Sequence, residues 1–356
     1  MSRMTVGTGA GQVVFAGVDT HKDTHQVAVV DGNGAVVAGR QFPAGTAGYR
    51  EVAGWLSGWA VGRVGIEQTG TYGAGLTRVL TAVGHEVMDV NRPDVWVRAA
   101  SGKSDPIDAV MAAQAARTGR ALAIAKDTAG VIESVRLLHV ARRSAVKARS
   151  AALVQLGDLA VTVPAGLRDQ LGRSNTQIAA ASRKLRADRD RLGDPTQAAK
   201  LALRRLAGRI EALDAEIDQL GKAMDELVAR VAPRLLARPQ VGTQIAAQLL
   251  ITAGQNINRI GTDAKFARLT GIAPIPASSG RTTRMRLHRG GDRQANRAIH
   301  LIAIGRLRAH QPAIDYVNRR THDGLSKTDA IRAMKRLIAR EVYGALKADL
   351  KALDAL

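Results

Sequence analysis

The chain has 356 residues, of which 46% are apolar and 3% are aromatic, and its formal net charge at pH 7 is +21. This apolar fraction is typical of a globular protein, and the charge indicates a polyanionic partner, for which nucleic acid is the first candidate. The absence of cysteine excludes disulfides and thiolate metal sites. The scarcity of aromatic rings argues against recognition of single-stranded bases by stacking.

The first twelve residues, MSRMTVGTGAGQ, have no long apolar core and do not resemble a signal peptide. No run of about 18 apolar residues follows, so the sequence predicts no membrane span. We therefore expect a cytoplasmic protein with no membrane partner, in which residues 1–12 form a disordered extension.

The segment 13–128 alternates strand and helix patterns. Short β-branched runs flank DGNG, which is a hairpin signal. Further on, the patterns predict a helix near 47–59, a strand ending at Glu67, a helix over 73–83, a strand within HEVMDVN and a helix within SDPIDAVMAAQAARTG. This order predicts an α/β domain with a mixed sheet.

The segment 129–235 has helical patterns almost throughout. Its clearest periodicity is a heptad seam with apolar residues at alternating spacings of four and three: Leu206, Ile210, Leu213, Ile217, Leu220, Met224, Leu227 and Val231. Leucine at every d position, with mostly β-branched a positions, favours two strands if the helices are parallel, and hence contact between subunits. The alternative is a helical hairpin within the chain, packed on residues 130–190.

The segment 236–356 is mostly helical and carries most of the net charge. It contains a loop with two adjacent hydroxyl groups, Ser278 and Ser279, followed by a run of arginines. These are Arg281, Arg284, Arg286, Arg289, Arg293 and Arg297, offset only by Asp292. A second basic stretch without acids contains Arg142, Arg143 and Lys147. The loop is either a solvated polar turn or a nucleophile placed where a phosphate chain lies.

Four carboxylates occupy positions that could converge. Asp19 and Glu67 end two predicted strands, and Asp105 and Asp108 project from one face of a helix start. Each has a structural alternative: Asp105 before Pro106 suits a helix N-cap, Asp108 suits the first turn, and the other two could be a turn residue and a surface acid.

The conjunction of the four is the layout of an RNase H-like metal nuclease. Clustered carboxylates repel one another unless cations lie between them, and oxygen ligands select Mg²⁺ or Mn²⁺. Two such ions about 4 Å apart would clamp both oxygens of a phosphodiester under attack. Other acids compete for this role: Asp31 is accounted for by the hairpin turn, Asp23 is expected at mid-strand, and Asp89 and Asp94 flank a later strand.

Four motifs in order carry a family resemblance: GVDTHKDTHQVAVVD, GIEQTG, KSDPIDA and GIAPIPASSGRTTRMRLHRGGDRQANRAIH. Together they resemble the DEDD-type insertion-sequence transposases of the "IS one-ten" family, which are related to the Piv-type DNA invertases. The arginine-rich stretch ends in HRGGDRQANRAI, a close but imperfect match to the pattern of that family.

The resemblance implies a RuvC-like domain over 13–128, a helical linker and coiled coil over 129–235 and a mainly helical transposase domain over 236–356. Asp19, Glu67, Asp105 and Asp108 would bind two Mg²⁺ or Mn²⁺ ions. Ser279, directly before Gly280, would be the nucleophile, with Ser278 as the alternative. The partners would be double-stranded donor and target DNA, a structured noncoding bridge RNA and further copies of the chain in a dimer or tetramer.

The function predicted is RNA-guided strand cleavage and exchange through a 5′-phosphoserine intermediate, with Arg281, Arg284, Arg286, Arg289 and Arg293 positioning phosphates. One alternative is a metal-dependent nuclease of Holliday-junction type that uses water as nucleophile. Another is a nucleic-acid-binding scaffold without catalysis.

Overall fold

The computed structural model describes residues 12–90, 104–119, 122–280 and 285–354. The chain forms two compact units. The first contains residues 1–132 and 253–266, and the second contains residues 133–252 and 267–356. The first unit is therefore discontinuous in sequence, because the chain returns to it after a long helical segment.

The first unit is built on a six-stranded sheet with the order β3-β2-β1-β4-β5-β6. Its strands are β1 (Val14–Thr20), β2 (Thr24–Val30), β3 (Val36–Pro43), β4 (Val61–Ile66), β5 (Val87–Val90) and β6 (Leu122–Ile124). The first three form an antiparallel meander, β4 pairs with β1 in parallel, β5 pairs with β4 in parallel, and β6 pairs with β5 antiparallel. This mixed sheet is consistent with the RNase H-like fold expected from the sequence.

The predicted hairpin joins β2 and β3. The Asp31 carboxylate accepts hydrogen bonds from the backbone N–H groups of Asn33 and Ala35 at 2.9 and 2.8 Å. Gly34 has a φ of 94°, a conformation that glycine adopts without steric penalty. Asp31 is therefore explained by the turn, as predicted.

Three helices of the first unit are α1 (Thr46–Leu56), α2 (Ala74–Ala82) and α3 (Asp105–Thr118). The core on one side of the sheet contains Val18, Val27, Phe42 and Ile66, with Val52, Leu56, Leu76 and Leu80 from α1 and α2. These apolar positions recur at helical spacing, so each helix buries one face.

Helix α3 packs very close to the sheet. A Cβ atom on Gly17 would lie 2.0 Å from the Ala113 nitrogen, and one on Gly65 would lie 2.5 Å from the Ala112 carbonyl oxygen. Small residues on α3 make this approach possible, since Ala109, Ala112, Ala113 and Ala116 are fully buried. The contact holds the first turn of α3 beside β1.

The second unit begins with two long helices, α4 (Gly130–Thr162), which starts in the first unit, and α7 (Pro195–Val231), with the shorter helices α5 (Ala165–Arg168) and α6 (Asn175–Lys184) between them. Ala152 and Leu156 of α4 share a core with Ile178 of α6 and with Leu203 and Ile210 of α7. Arg149 of α4 also forms an ion pair with Asp214 of α7.

The heptad seam lies on α7, and its two rows differ in burial. The a positions Ile210, Ile217, Met224 and Val231 are buried, whereas the d-position leucines are half-buried. Packing within the chain, the alternative reading of the seam, is therefore present. Pairing between subunits stays a prediction.

The rest of the second unit contains α8 (Pro233–Leu236), α9 (Thr243–Ala253), α10 (Asp263–Leu269, which begins in the first unit), α11 (Arg293–Ala309), α12 (Gln311–His322) and α13 (Lys327–Asp354). The fully buried Asp349 carboxylate of α13 accepts hydrogen bonds from the backbone N–H groups of Arg234 and Leu235 in α8. A short hairpin of β7 (Pro274–Pro276) and β8 (Met285–Leu287) precedes α11.

Two expectations are wrong in detail. Asp23 lies in the turn between β1 and β2 and is exposed, because β1 ends at Thr20 and β2 begins at Thr24. Asp105 is the first residue of α3 rather than its N-cap, which is Ser104. Asp94 and nearly all of the expected extension over 1–12 lie outside the described residues. In the part of the chain that the structure describes, no helix combines the length and the apolar character that crossing a membrane needs.

Candidate active site

The carboxylates at the edge of the sheet are positioned by β1, β4 and α3. Asp19 lies near the end of β1 and is only 6% exposed, and Asp108 in the first turn of α3 is 3% exposed. The parallel pairing of β1 with β4 places Glu67 at the same edge. Its backbone N–H donates to the Val18 carbonyl at 3.2 Å, and its carbonyl accepts from the Thr20 hydroxyl at 3.1 Å.

The surroundings of Asp19 affect the ionisation of its carboxyl group. Burial raises the pKa of the Asp19 carboxyl above its ordinary value, and the charges of Asp108 and Asp105 raise that pKa further. The charge and hydrogen bond of His21 act in the opposite direction. An anion held under these conditions favours a cation nearby.

His21 was not among the residues predicted for the site. Its Nε2 atom lies 3.1 Å from Asp19 Oδ2 and 3.4 Å from Asp105 Oδ1. Among the described residues, Asp19, His21 and Asp105 each offer a ligand atom, and these atoms lie within 4.8 Å of one another. The signal in the sequence was the spacing of two between Asp19 and His21, which places both side chains on one side of an extended segment.

The competing acids have other roles. The Asp89 carboxylate on β5 accepts a hydrogen bond of 2.6 Å from the Thr69 hydroxyl. Asp23 is in an exposed turn, and Asp31 closes the hairpin. The sequence assigned Asp31 to the turn but could not exclude Asp89, because its contact with Thr69 depends on the folded geometry.

Ser278 and Ser279 lie between β7 and β8 in the second unit, and both are exposed. Gly280 follows with a φ of 55°, so the backbone turns directly after Ser279. Arg281 and Arg284 lie outside the described residues. Arg286 on β8, Arg289 and Arg293 at the start of α11 are exposed.

The base of this hairpin is held by polar contacts. Asn296 of α11 donates from Nδ2 to the carbonyl oxygens of Thr270 and Gly271 at 3.2 and 2.9 Å. Its Oδ1 accepts from the Lys335 ammonium at 2.8 Å. Asp292 caps α11 and accepts from the Thr252 hydroxyl at 2.7 Å, so this acid has a structural partner within its own unit.

The second basic stretch lies on α4. Arg143 and Lys147 are exposed, as a nucleic-acid contact requires, whereas Arg142 is half-buried. Arg142 lines a cavity together with Asp218 and Asp225 of α7. Arg142 is therefore less open to a nucleic acid than Arg143 and Lys147.

An RNase H-like sheet with acids converging at one edge is the arrangement of the DEDD class of transposases. A family model for DEDD transposases of the IS110 type matches residues 16–162, and the model "Transposase IS116/IS110/IS902 family" matches residues 232–318. The chain belongs to the IS110 family of transposases, the "IS one-ten" family that its motifs resemble.

Two curated relatives are also similar to parts of the chain. The "Insertion element IS900 uncharacterized 42 kDa protein" of Mycobacterium paratuberculosis is 28% identical over 49% of this chain and 44% of its own length. The "Insertion element IS110 uncharacterized 43.6 kDa protein" of Streptomyces coelicolor is 33% identical over 35% of this chain and 30% of its own length. The match thus spans less than half of either relative.

Proposed function

We propose that the chain is a recombinase that moves an insertion element by cleaving and rejoining DNA strands under the guidance of a structured noncoding RNA. The observation that carries the DNA-cleaving part of this proposal is that, at the edge of the sheet, Asp19 and Asp105 offer carboxylate oxygens within 4.8 Å of each other, beside the helix turn that carries the buried Asp108. Membership of the IS110 family supports the transposase activity.

The residues at this edge fit a divalent cation. Asp19 is buried, its ionised form is opposed by two nearby carboxylates, and the donor set is rich in oxygen. Asp19, Glu67, Asp105 and Asp108 would hold Mg²⁺ or Mn²⁺ in one or two positions. Such an ion supplies polarisation of the phosphate and stabilisation of the leaving oxygen.

Ser279 is the proposed nucleophile, and the reaction would have two steps, cleavage of one strand and joining to another. Its Oγ atom attacks a phosphorus atom of DNA, the bond from phosphorus to O3′ breaks, and the proton lost by the serine hydroxyl is matched by the proton gained by O3′. This step leaves a 5′-phosphoserine and a 3′-hydroxyl. A 3′-hydroxyl from another strand then attacks the phosphoserine, joins the strands and releases serine. The exposure of Ser279 and the absence of a Cβ atom at Gly280 favour close approach of DNA.

The exposed arginines would position the strand. Arg286, Arg289 and Arg293 are close in sequence to the serines and present guanidinium groups to solvent, and such groups bind phosphate in a bidentate manner. Arg281 and Arg284 share this proposed role, and Arg143 and Lys147 on α4 are proposed contacts for RNA or DNA. RNA guidance and assembly as a dimer or tetramer rest on the family and on the net charge of +21.

The test is a covalent trapping experiment with the full chain, the noncoding RNA of its element and a DNA substrate that releases one strand after cleavage. After denaturation, wild-type protein should carry attached DNA and migrate more slowly. Ser279→Ala should give no such band, whereas Ser278→Ala is the matched control and should keep it. A band from Ser279→Ala that Ser278→Ala lacks would reassign the nucleophile.

The carboxylates are tested in the same assay. Asp19→Asn should abolish cleavage but not nucleic-acid binding, while Asp23→Asn, which changes an exposed acid in the adjacent turn, should leave both intact. Cleavage by wild type without any covalent band would favour hydrolysis by water, the nuclease alternative.

A further inference from the structure

The imidazole of His21 brings a nitrogen atom to the edge of the sheet where the carboxylates lie. Its Nε2 atom lies 3.1 Å from Asp19 Oδ2 and 3.4 Å from Asp105 Oδ1, so it bridges β1 and α3. Its side chain is 51% exposed and that of Asp105 is 47% exposed. The group is therefore reachable by an ion from solvent.

The backbone fixes where His21 can be. Its N–H donates to the Thr24 carbonyl at 3.0 Å, which closes the turn between β1 and β2. Asp105 is held from the other side because α3 packs closely against β1 at Gly17. His21 thus follows β1 directly and Asp105 lies on α3, and the separation of these two elements is set by the packing of the helix on the strand and not by these two side chains.

The distances between the donor atoms suit a shared ion. Ligand atoms bound at about 2.1 Å to one ion are roughly 3.0 to 3.4 Å apart in octahedral or tetrahedral geometry. Both separations from His21 Nε2, 3.1 and 3.4 Å, fall in this interval. A hydrogen bond alone explains the first of them and leaves the second long.

We infer that His21 Nε2 is a nitrogen ligand of the proposed metal site, together with Asp19 Oδ2 and Asp105 Oδ1. The inference rests on the proposed function, which supplies the metal site itself. Imidazole binds first-row transition ions better than it binds Mg²⁺, whereas carboxylates accept both. The site, with one nitrogen and two oxygen ligands, would therefore bind a divalent transition ion more tightly than Mg²⁺.

The experiment measures binding of Co²⁺ and of Mg²⁺ to the full chain by calorimetry. His21→Gln should weaken Co²⁺ binding by at least about tenfold and change Mg²⁺ binding much less. His85→Gln, a half-buried histidine of the same unit outside the carboxylate cluster, is the matched control and should change neither. Equal loss of both ions would contradict a role for the nitrogen in metal choice.

A second measurement needs no variant. Pulsed electron paramagnetic resonance of Mn²⁺ bound to wild-type protein should show coupling to a histidine nitrogen, with the expected change when histidine is labelled with ¹⁵N. Absence of this coupling would overturn the inference whatever His21→Gln does.

Asp19→Asn separates this inference from the proposed function. It should abolish binding of Co²⁺ and Mg²⁺ alike. Loss in Asp19→Asn with wild-type binding in His21→Gln would overturn the role of His21 alone. Wild-type binding of both ions by Asp19→Asn would instead overturn the metal site on which the proposed function rests.

Discussion

At the residue scale, Asp19 combines burial with repulsion from two neighbouring carboxylates. Folding must bring this charge out of water, so ionised Asp19 lowers the stability of the metal-free protein. We predict that Asp19→Asn raises the free energy of unfolding in EDTA by about 1 kcal/mol. Mg²⁺ at about 100 times its Kd should then stabilise wild type by about 2.7 kcal/mol and leave the variant unchanged.

Thermal and urea unfolding check this prediction. Asp23→Asn removes an exposed carboxylate from the adjacent turn and should alter neither measurement. A variant at Asp19 that is less stable than wild type without metal would show that the hydrogen bond with His21 outweighs the repulsion.

His25 gives a prediction about pH. It is fully buried and stacks on Tyr49 with ring centroids 5.5 Å apart, and burial lowers the pKa of its imidazole below the ordinary value. Below about pH 6.5, His25 is protonated in the unfolded chain but stays neutral in the folded chain. The free energy of unfolding therefore falls as the pH drops through about 6.5. His25→Phe keeps the stack and should reduce the loss of stability between pH 7 and pH 5. Urea unfolding at the two pH values measures this, and equal losses in both proteins would contradict it.

Single residues also show what the sequence could and could not reveal. The positions of Asp19, Glu67, Asp105 and Asp108 at element ends follow from pattern alone, since strand and helix periodicities locate those ends. The contact of His21 with Asp105 joins residues far apart in the chain. It depends on how closely α3 approaches β1, which no local pattern encodes.

At the element scale, that approach is the feature most open to test. Gly17→Ala would put a Cβ atom 2.0 Å from the Ala113 nitrogen, so α3 must move or the strand must distort. We predict destabilisation by about 1–3 kcal/mol or more and weaker metal binding, because α3 carries Asp105 and Asp108. Gly39→Ala on β3 meets nothing closer than 3.6 Å and is the control. Calorimetry measures metal binding and urea unfolding measures stability. Equal metal binding and equal stability in the two variants would contradict the role of the contact between α3 and β1.

Helix α7 gives a second prediction at this scale. Its a positions are buried within the chain, so the half-buried d positions are available for a second copy of the chain. Leu213→Gln combined with Leu220→Gln should lower the mass measured by light scattering while circular dichroism stays unchanged. Ile210→Ala, at a buried a position, should instead lower stability by about 2–4 kcal/mol. Unchanged mass in the d-position variant would mean that the seam serves the fold of one chain only.

The short strands explain most of what element prediction missed. β6, β7 and β8 have three residues each, too few for an alternating pattern to stand out. β7 also contains Pro274 and Pro276, and proline argues against a strand because it cannot donate to the ladder. The long helices were predictable because their periodicity extends over many residues, and the β2–β3 hairpin was predictable from its turn signal, whereas the short turn between β1 and β2 was missed.

At the scale of the whole molecule, the net charge of +21 should dominate nucleic-acid affinity. A protein that makes roughly 6–10 phosphate contacts loses about 10³ to 10⁵ in affinity between 50 and 200 mM salt, and we predict a dependence of this order for DNA and RNA. Arg286→Gln with Arg289→Gln should lower the slope of log affinity against log salt by about 2. Arg40→Gln, whose guanidinium pairs with Glu51, should leave it unchanged. Filter binding over a salt series measures this, and an unaltered slope would remove both arginines from the interface.

The division into two units was not predictable from composition, because residues 253–266 pack with residues 1–132 after a long intervening segment. Asn256 donates from Nδ2 to the Ala125 carbonyl and accepts at Oδ1 from the Asp127 N–H, each at 2.9 Å. These bonds join residues 253–266 to the end of the sheet, yet the segment has no unusual sequence signal.

This return has a consequence during synthesis on the ribosome. The backbone groups of Ala125 and Asp127 cannot form their hydrogen bonds with Asn256 until α4 to α7 have been translated, because Asn256 follows these helices in the sequence. At about 5–20 residues per second, translation of that interval takes many seconds. The six strands are complete at Ile124, but the contacts that follow β6 gain their side-chain partner only when translation has nearly reached the serine hairpin. A product terminated before Asn256 would therefore leave these two backbone groups without that partner and would also lack Ser278 and Ser279.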